Sequence, residues 1–131
     1  MGNTITREEN DNLETFRLIW LDSSVNRSEE NLHAQWRLRT IINYLKTFED
    51  EQTCLEYIRS VPKDDRIILI VSGRLGRIFV PKIAHLRQID SIYIYCKNKA
   101  FNEYWAQYYY QVIKNTSLCV ILNLLWIELF R

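Results

Sequence analysis

The sequence predicts an α/β fold: a three-layer sandwich around a short, mostly parallel sheet. Three observations carry that expectation. Residues 16–22 (FRLIWLD), 66–73 (RIILIVSG) and 91–96 (SIYIYC) are short runs of aliphatic and aromatic side chains. Strands of a parallel sheet are covered on both faces and therefore read as near-continuous apolar runs. The segments between them carry apolar residues at three- and four-residue steps, and strands alternating with helices imply parallel pairing through right-handed crossovers.

Taken in order, residues 1–12 are polar, charged and aperiodic, and are expected to form a flexible arm ahead of an α/β module at 13–114. The first strand ends in Asp22-Ser23-Ser24, a turn signal. Ser28 is the expected N-cap of the helix that follows, with Glu29 and Glu30 in its first turn, where the helix dipole favours anions. Leu38, Ile41, Ile42, Leu45 and Phe48 extend one apolar face, so the helix is expected to reach residue 48. A second helix is expected at 51–60, closed by Pro62.

After the strand at 66–73, Leu75, Ile78, Phe79, Ile83 and Leu86 predict a helix that Pro81, lacking an amide hydrogen, must break, kink or restart. After the strand at 91–96, a helical stripe of Phe101, Trp105, Tyr108 and Val112 places the tyrosine-rich YWAQYYY segment mostly in the core and its rim. Within a C-terminal segment at 115–131, residues 117–131 are apolar on nearly every side. They are read either as a last strand (118–122) with a buried helix or as an aberrant end, which leaves open whether the sheet is complete at the C-terminus.

The composition excludes several functions. Seventeen basic residues stand against sixteen acidic ones, for a net charge of +1, so no basic stripe favours nucleic acid. Cys54, Cys96 and Cys119 are odd in number, widely spaced and free of any CxxC pair, which points to free thiols in a reducing, cytoplasmic setting. His33 and His85 have no ligand-spaced partners, so no metal site is expected. Gly2 matches a loose N-myristoylation pattern with Thr6 as its hydroxyl position. Membrane contact is expected only if Gly2 is acylated, and the acidic neighbours give no second anchoring signal.

Ligands of open parallel sheets bind outside the carboxyl ends of the strands. Those ends carry Asp22, then Ser72, Gly73 and Arg74, then Cys96 and Lys97. Gly73 and Gly76, the only glycines beyond residue 2, share one strand-to-helix turn. On a ligand reading they let backbone amides approach a phosphate, with Arg74 or Arg77 pairing its charge. On a packing reading, Gly73 supplies a left-handed turn and Gly76 a close helix–sheet contact. The dinucleotide and Walker fingerprints are both missing, and no cofactor is expected.

The blocks FRLIWLD, LRTIINYLKTFED, CLEYIRSV, ILIVSGRLGR with VPKI, and SIYIYCKNKAFNEYWA, from residue 14 to about 112, resemble an uncharacterised α/β module. That module precedes tetratricopeptide repeats or arginine-specific ADP-ribosyltransferase domains in multidomain invertebrate proteins. The resemblance implies a cytosolic accessory module. The transferase signature itself is not assembled here, so that activity does not carry over. The expected function is a non-catalytic interaction or regulatory module with a protein partner, a truncated relative of such proteins. An unpaired sheet edge offers it a route to self-association. The alternative is a nucleotide- or NAD-related binding protein or enzyme using the strand-end residues.

Overall fold

The computed structural model describes residues 16–40, 44–95, 99–116, 121 and 125. The chain alternates β1 (Phe16–Leu21), α1 (Glu29–Arg39), β2 (Leu45–Phe48), α2 (Glu51–Ser60), β3 (Arg66–Ser72), α3 (Gly73–Ile83), β4 (Ile89–Tyr95), α4 (Lys99–Ala106) and β5 (Val112–Thr116). All pairings are parallel and the strand order is β2-β1-β3-β4-β5. This is the flavodoxin-like doubly wound order, whose direction reverses between β1 and β3. The expected α/β sandwich is therefore the observed architecture.

β3 explains why the sheet needs two helical layers. Ile67, Ile68, Leu69, Ile70 and Val71 are all buried, so neither face of the strand meets water. Ile67, Leu69 and Val71 join a core with Ile19, Leu21, Ile92 and Ile94, covered by Cys54 and Ile58 of α2, Phe79, Val80 and Ile83 of α3, and Ala106 of α4. Ile68 and Ile70 point the other way, into a core with Leu18, Trp20 and Tyr93, covered by Ala34 and Leu38 of α1. Ile121 and Leu125 are helical, buried and part of that second core. Each fully buried aliphatic side chain contributes about 1.5–3 kcal/mol, so a two-sided strand of five such residues is the densest source of stability in the sheet.

Three helices begin on side-chain caps. Ser28 Oγ accepts from the Asn31 amide at 3.3 Å, Asp50 from the Thr53 amide at 2.9 Å, and Ser72 from the Leu75 amide at 3.4 Å. These hydroxyl and carboxylate oxygens satisfy amides that the first helical turn leaves without a partner.

The structure corrects the sequence in five places. First, α1 ends at Arg39, with the Thr40 hydroxyl donating to the Arg37 carbonyl at 2.6 Å, and Leu45–Phe48 is a strand. Leu45 lies in the α1-side core and Phe48 in the opposite one, since strand residues three apart face opposite ways. Second, Val112 begins β5 instead of ending a helix, and the expected boundary between residues 114 and 115 falls inside that strand. Third, the stripe buried by α4 holds Asn102, Trp105 and Ala106, whereas Tyr104, Tyr108 and Tyr110 are strongly exposed. Fourth, Pro81 sits inside α3 without breaking it. Pro81 and Arg77 are both exposed, so the missing hydrogen bond falls on the wet side of the helix. Fifth, Ile121 is helical, against a strand at 118–122. The arm at 1–12 lies outside the described residues.

The two glycines of the β3–α3 turn are there for packing. No described glycine has positive φ, so Gly73 supplies no left-handed turn. A Cβ on Gly73 would overlap the Asn102 amide, with Asn102 Cγ only 2.8 Å away. A Cβ on Gly76 would come to 3.1 Å from Val71 Cγ1 and 3.3 Å from Trp105 Cη2. Both glycines thus let α3 sit close against β3 and α4. Gly73→Ala is expected to cost about 1–3 kcal/mol in urea unfolding, the usual range for overpacking. In an Asn102→Ala background the same change should cost far less, giving a clear coupling term in the double-mutant cycle.

Candidate functional site

The sheet register places three side chains in one transverse row at the carboxyl edge. Leu21 pairs with Val71 and Val71 with Ile94, while Ser72 pairs with Tyr95, so the next row is Asp22, Ser72 and Tyr95. They follow Trp20, Ile70 and Tyr93 by two residues and so belong to the α1-side face. The row lies at the β1/β3 reversal, where open sheets of this order hold ligands.

Asp22 is the hub of this edge. Its Oδ1 accepts from the Ser24 amide at 3.2 Å, and its Oδ2 accepts from Asn31 Nδ2 at 3.4 Å and from the Tyr95 hydroxyl. The Tyr95 oxygen in turn accepts from the indole N–H of Trp20 at 3.1 Å, and the two rings meet edge to face with centroids 6.1 Å apart. Asn31 Nδ2 also donates to the Ser24 carbonyl at 3.2 Å. Gln35 Nε2 donates to the Val25 carbonyl at 2.7 Å and to Asn26 Oδ1 at 2.9 Å. Buried polar groups on α1 therefore hold the β1–α1 loop in place, and Tyr95 ties that loop to β4.

Burial first, and then donation to Asp22, raises the Tyr95 phenol above its ordinary pKa of 10.0, against a smaller lowering by the Trp20 N–H. The phenol stays protonated at neutral pH and acts as a hydrogen-bond donor, not a base or nucleophile. The buried thiol of Cys54 is pushed up to about 12, mainly by desolvation, which leaves it inert.

The sequence-predicted residues divide into three groups. Asp22 and Ser72 share the row. Ser72 caps α3, where Gly73 and Gly76 are packed against protein, and Arg74 and Arg77 are exposed on the same helix. Cys96, Lys97 and Gly2 lie outside the described residues. A phosphate cradle at α3 would compete with contacts already made, because Ser72 Oγ faces the Leu75 amide and Asn102 fills the space beside Gly73. Among the described residues, no group of three or more His, Cys, Asp or Glu side chains is placed to hold a metal ion, and no helix is long and apolar enough to cross a membrane.

Sequence reasoning missed Tyr95, Asn31 and Asn102. Tyr95 had a usable signal, since it stands at the same strand-end position as Asp22 and Ser72. The two asparagines had none, because buried amides are set by tertiary partners that the sequence does not reveal.

Tyr95→Phe is expected to destabilise the fold by about 1–3 kcal/mol, since it deprives Asp22 of a donor and Trp20 of an acceptor. The phenol's folded pKa lies above its unfolded value, so its contribution is complete below pH 10 and is lost as the pH rises further. Thermal unfolding of the wild type should therefore fall more steeply above pH 10 than that of Tyr95→Phe. Equal slopes would contradict the assignment. Comparisons of the chain with family models, with curated proteins and with solved structures each find no match.

Proposed function

We propose that the chain is a non-catalytic α/β interaction module that docks a protein partner, in a cytoplasmic setting. The observation that carries this reading is the outer face of α1. Leu32 is 47% and Trp36 65% exposed, one helical turn apart, and His33 stacks on Trp36 with ring centroids 6.1 Å apart. The opposite side of the same helix is buried through Asn31, Ala34, Gln35 and Leu38. A solvent-facing tryptophan beside a leucine costs solubility without serving the core, and tryptophan is enriched among residues that anchor protein interfaces.

The carboxyl edge supports the same reading from the other side. The polar groups a small ligand would need there, Asp22 and Tyr95, are bonded to one another and to the loop they organise. An accessory role is also what the resemblance of the IWLD, VSGRLGR and IYIYC blocks to modules preceding tetratricopeptide repeats or ADP-ribosyltransferase domains would imply, and the free, buried Cys54 fits a reducing compartment. The second reading, a nucleotide or NAD site, rests on Arg74 and Arg77 at the start of α3.

Thermal-shift measurements with NAD, ADP-ribose and ATP separate the two. The interaction reading expects no shift, whereas a shift abolished by Arg74→Ala would establish the nucleotide reading. In affinity capture from the source cells, Leu32→Ser/Trp36→Ser should lose partners that the wild type retains. Its melting temperature should barely change, because exposed substitutions away from caps and networks are usually within about 0.5 kcal/mol. Identical captured sets would refute a role for this face.

A further inference from the structure

α1 carries charges of opposite sign at its two ends and apolar anchors between them. Glu29 and Glu30 stand in the first turn, Arg37 and Arg39 in the last. Glu29, Leu32, Trp36 and Arg39 are all exposed. At 3.6 residues per turn the four lie within about 80° of one another, on the side away from buried Ala34 and Leu38. The stripe is self-complementary when reversed. Leu32 and Trp36 lie two residues either side of Ala34, and Glu29 and Arg39 five residues either side. An antiparallel copy of the helix, crossing at the level of Ala34, therefore sets Leu32 against Trp36 and Glu29 against Arg39 in one register. A two-fold axis makes each pair twice, as an isologous interface requires. The charged pairs then flank the apolar centre, each about 7.5 Å along the helix from it. A parallel copy would instead oppose like charges at both ends.

We propose that the outer face of α1 is a dimerisation surface, and that its occupant is the same face of a second copy of this chain, running antiparallel. The inference rests on the reading of α1 as a docking face and names its partner. His33 stacks on Trp36 with ring centroids 6.1 Å apart and 26° between planes. That contact orders the indole before a partner arrives and lowers the entropic cost of docking. Arg39 donates one N–H to the Leu45 carbonyl, at 3.4 Å, and its guanidinium has further donors for a carboxylate. One 11-residue helix against its copy covers less than the roughly 1,200–2,000 Å² of standard interfaces, so the dimer is weak and concentration-dependent.

Sedimentation velocity on the full chain, at concentrations from about 1 μM to 1 mM, tests the proposal. The wild type should pass from monomer to dimer across that range, and Leu32→Ser/Trp36→Ser should remain monomeric. Glu29→Arg and Arg39→Glu each oppose like charges at both ends of the contact. Each should weaken the dimer about tenfold, the size expected when two exposed ion pairs are lost. An equimolar mixture of the two variants should recover the wild-type affinity, because one chain then offers two positive ends and the other two negative ones. Leu32→Ser/Trp36→Ser and Glu29→Arg keep the proposal falsifiable if Arg39→Glu, deprived of its Leu45 contact, does not fold. A wild type monomeric at every concentration would overturn the proposal, as would a dimer indifferent to Leu32→Ser/Trp36→Ser or a mixture no tighter than its components. A monomer whose capture of partners still depends on Leu32 and Trp36 would reject the second copy and leave the docking reading standing. A monomer whose capture is independent of both residues would reject the two together.

Discussion

The burial of β3 on both faces is the constraint from which the rest of the molecule follows. Five consecutive aliphatic residues, Ile67 to Val71, alternate between two cores, and neither core exists without a helical layer over it. The chain meets that demand by reversing direction once. β1 proceeds through α1 to β2 on one side, and the connection through α2 then carries β3 back across β1. Right-handed crossovers running in opposite directions along the sheet place their helices on opposite faces. That is why α1 covers Leu18, Trp20, Ile68 and Ile70, while α2, α3 and α4 cover Ile19, Leu21, Leu69 and Val71.

The same reversal sets the chemistry at the carboxyl edge. It sends the β1–α1 loop and the β3–α3 turn to opposite faces of the sheet. Tyr95 of β4 reaches across the strand end between them. Tyr95 bonds Asp22 over the end of β3 and joins the loop, α1 and β4 through hydrogen bonds that each partner needs once it is removed from water. On the other face, Gly73 and Gly76 bring α3 against Asn102, Val71 and Trp105. Two features that read as a ligand site in the linear sequence, an acid at one strand end and paired glycines at another, are both joined to protein atoms.

The sequence made the central strands and α2 legible because their patterns have one solution. A run such as RIILIV has no polar side to turn to water, and the helix at 51–60 is closed by Pro62 beyond its end. β2 was not legible because Leu45 and Phe48, three apart, satisfy both a helix face and the two sides of a strand. Only the pairing of Leu18 with Leu45 and Leu21 with Phe48 decides between them. The exposed Tyr104 and Tyr108 show the same ambiguity from the other direction, since an aromatic stripe cannot announce which neighbour it lacks. At the site, Asp22 and Ser72 were found from position alone; Tyr95 shares that strand-end position, but its bond to Asp22, 73 residues away in sequence, was not legible.

Native-state hydrogen exchange, resolved by residue, tests the governing role of β3 most directly. The amides of Ile68 to Val71 are expected to exchange only through global unfolding, with free energies equal to the equilibrium stability, while amides in the edge strand β2 open at lower cost. Exchange from β3 at a free energy well below global stability, or protection centred on an edge strand, would contradict that role.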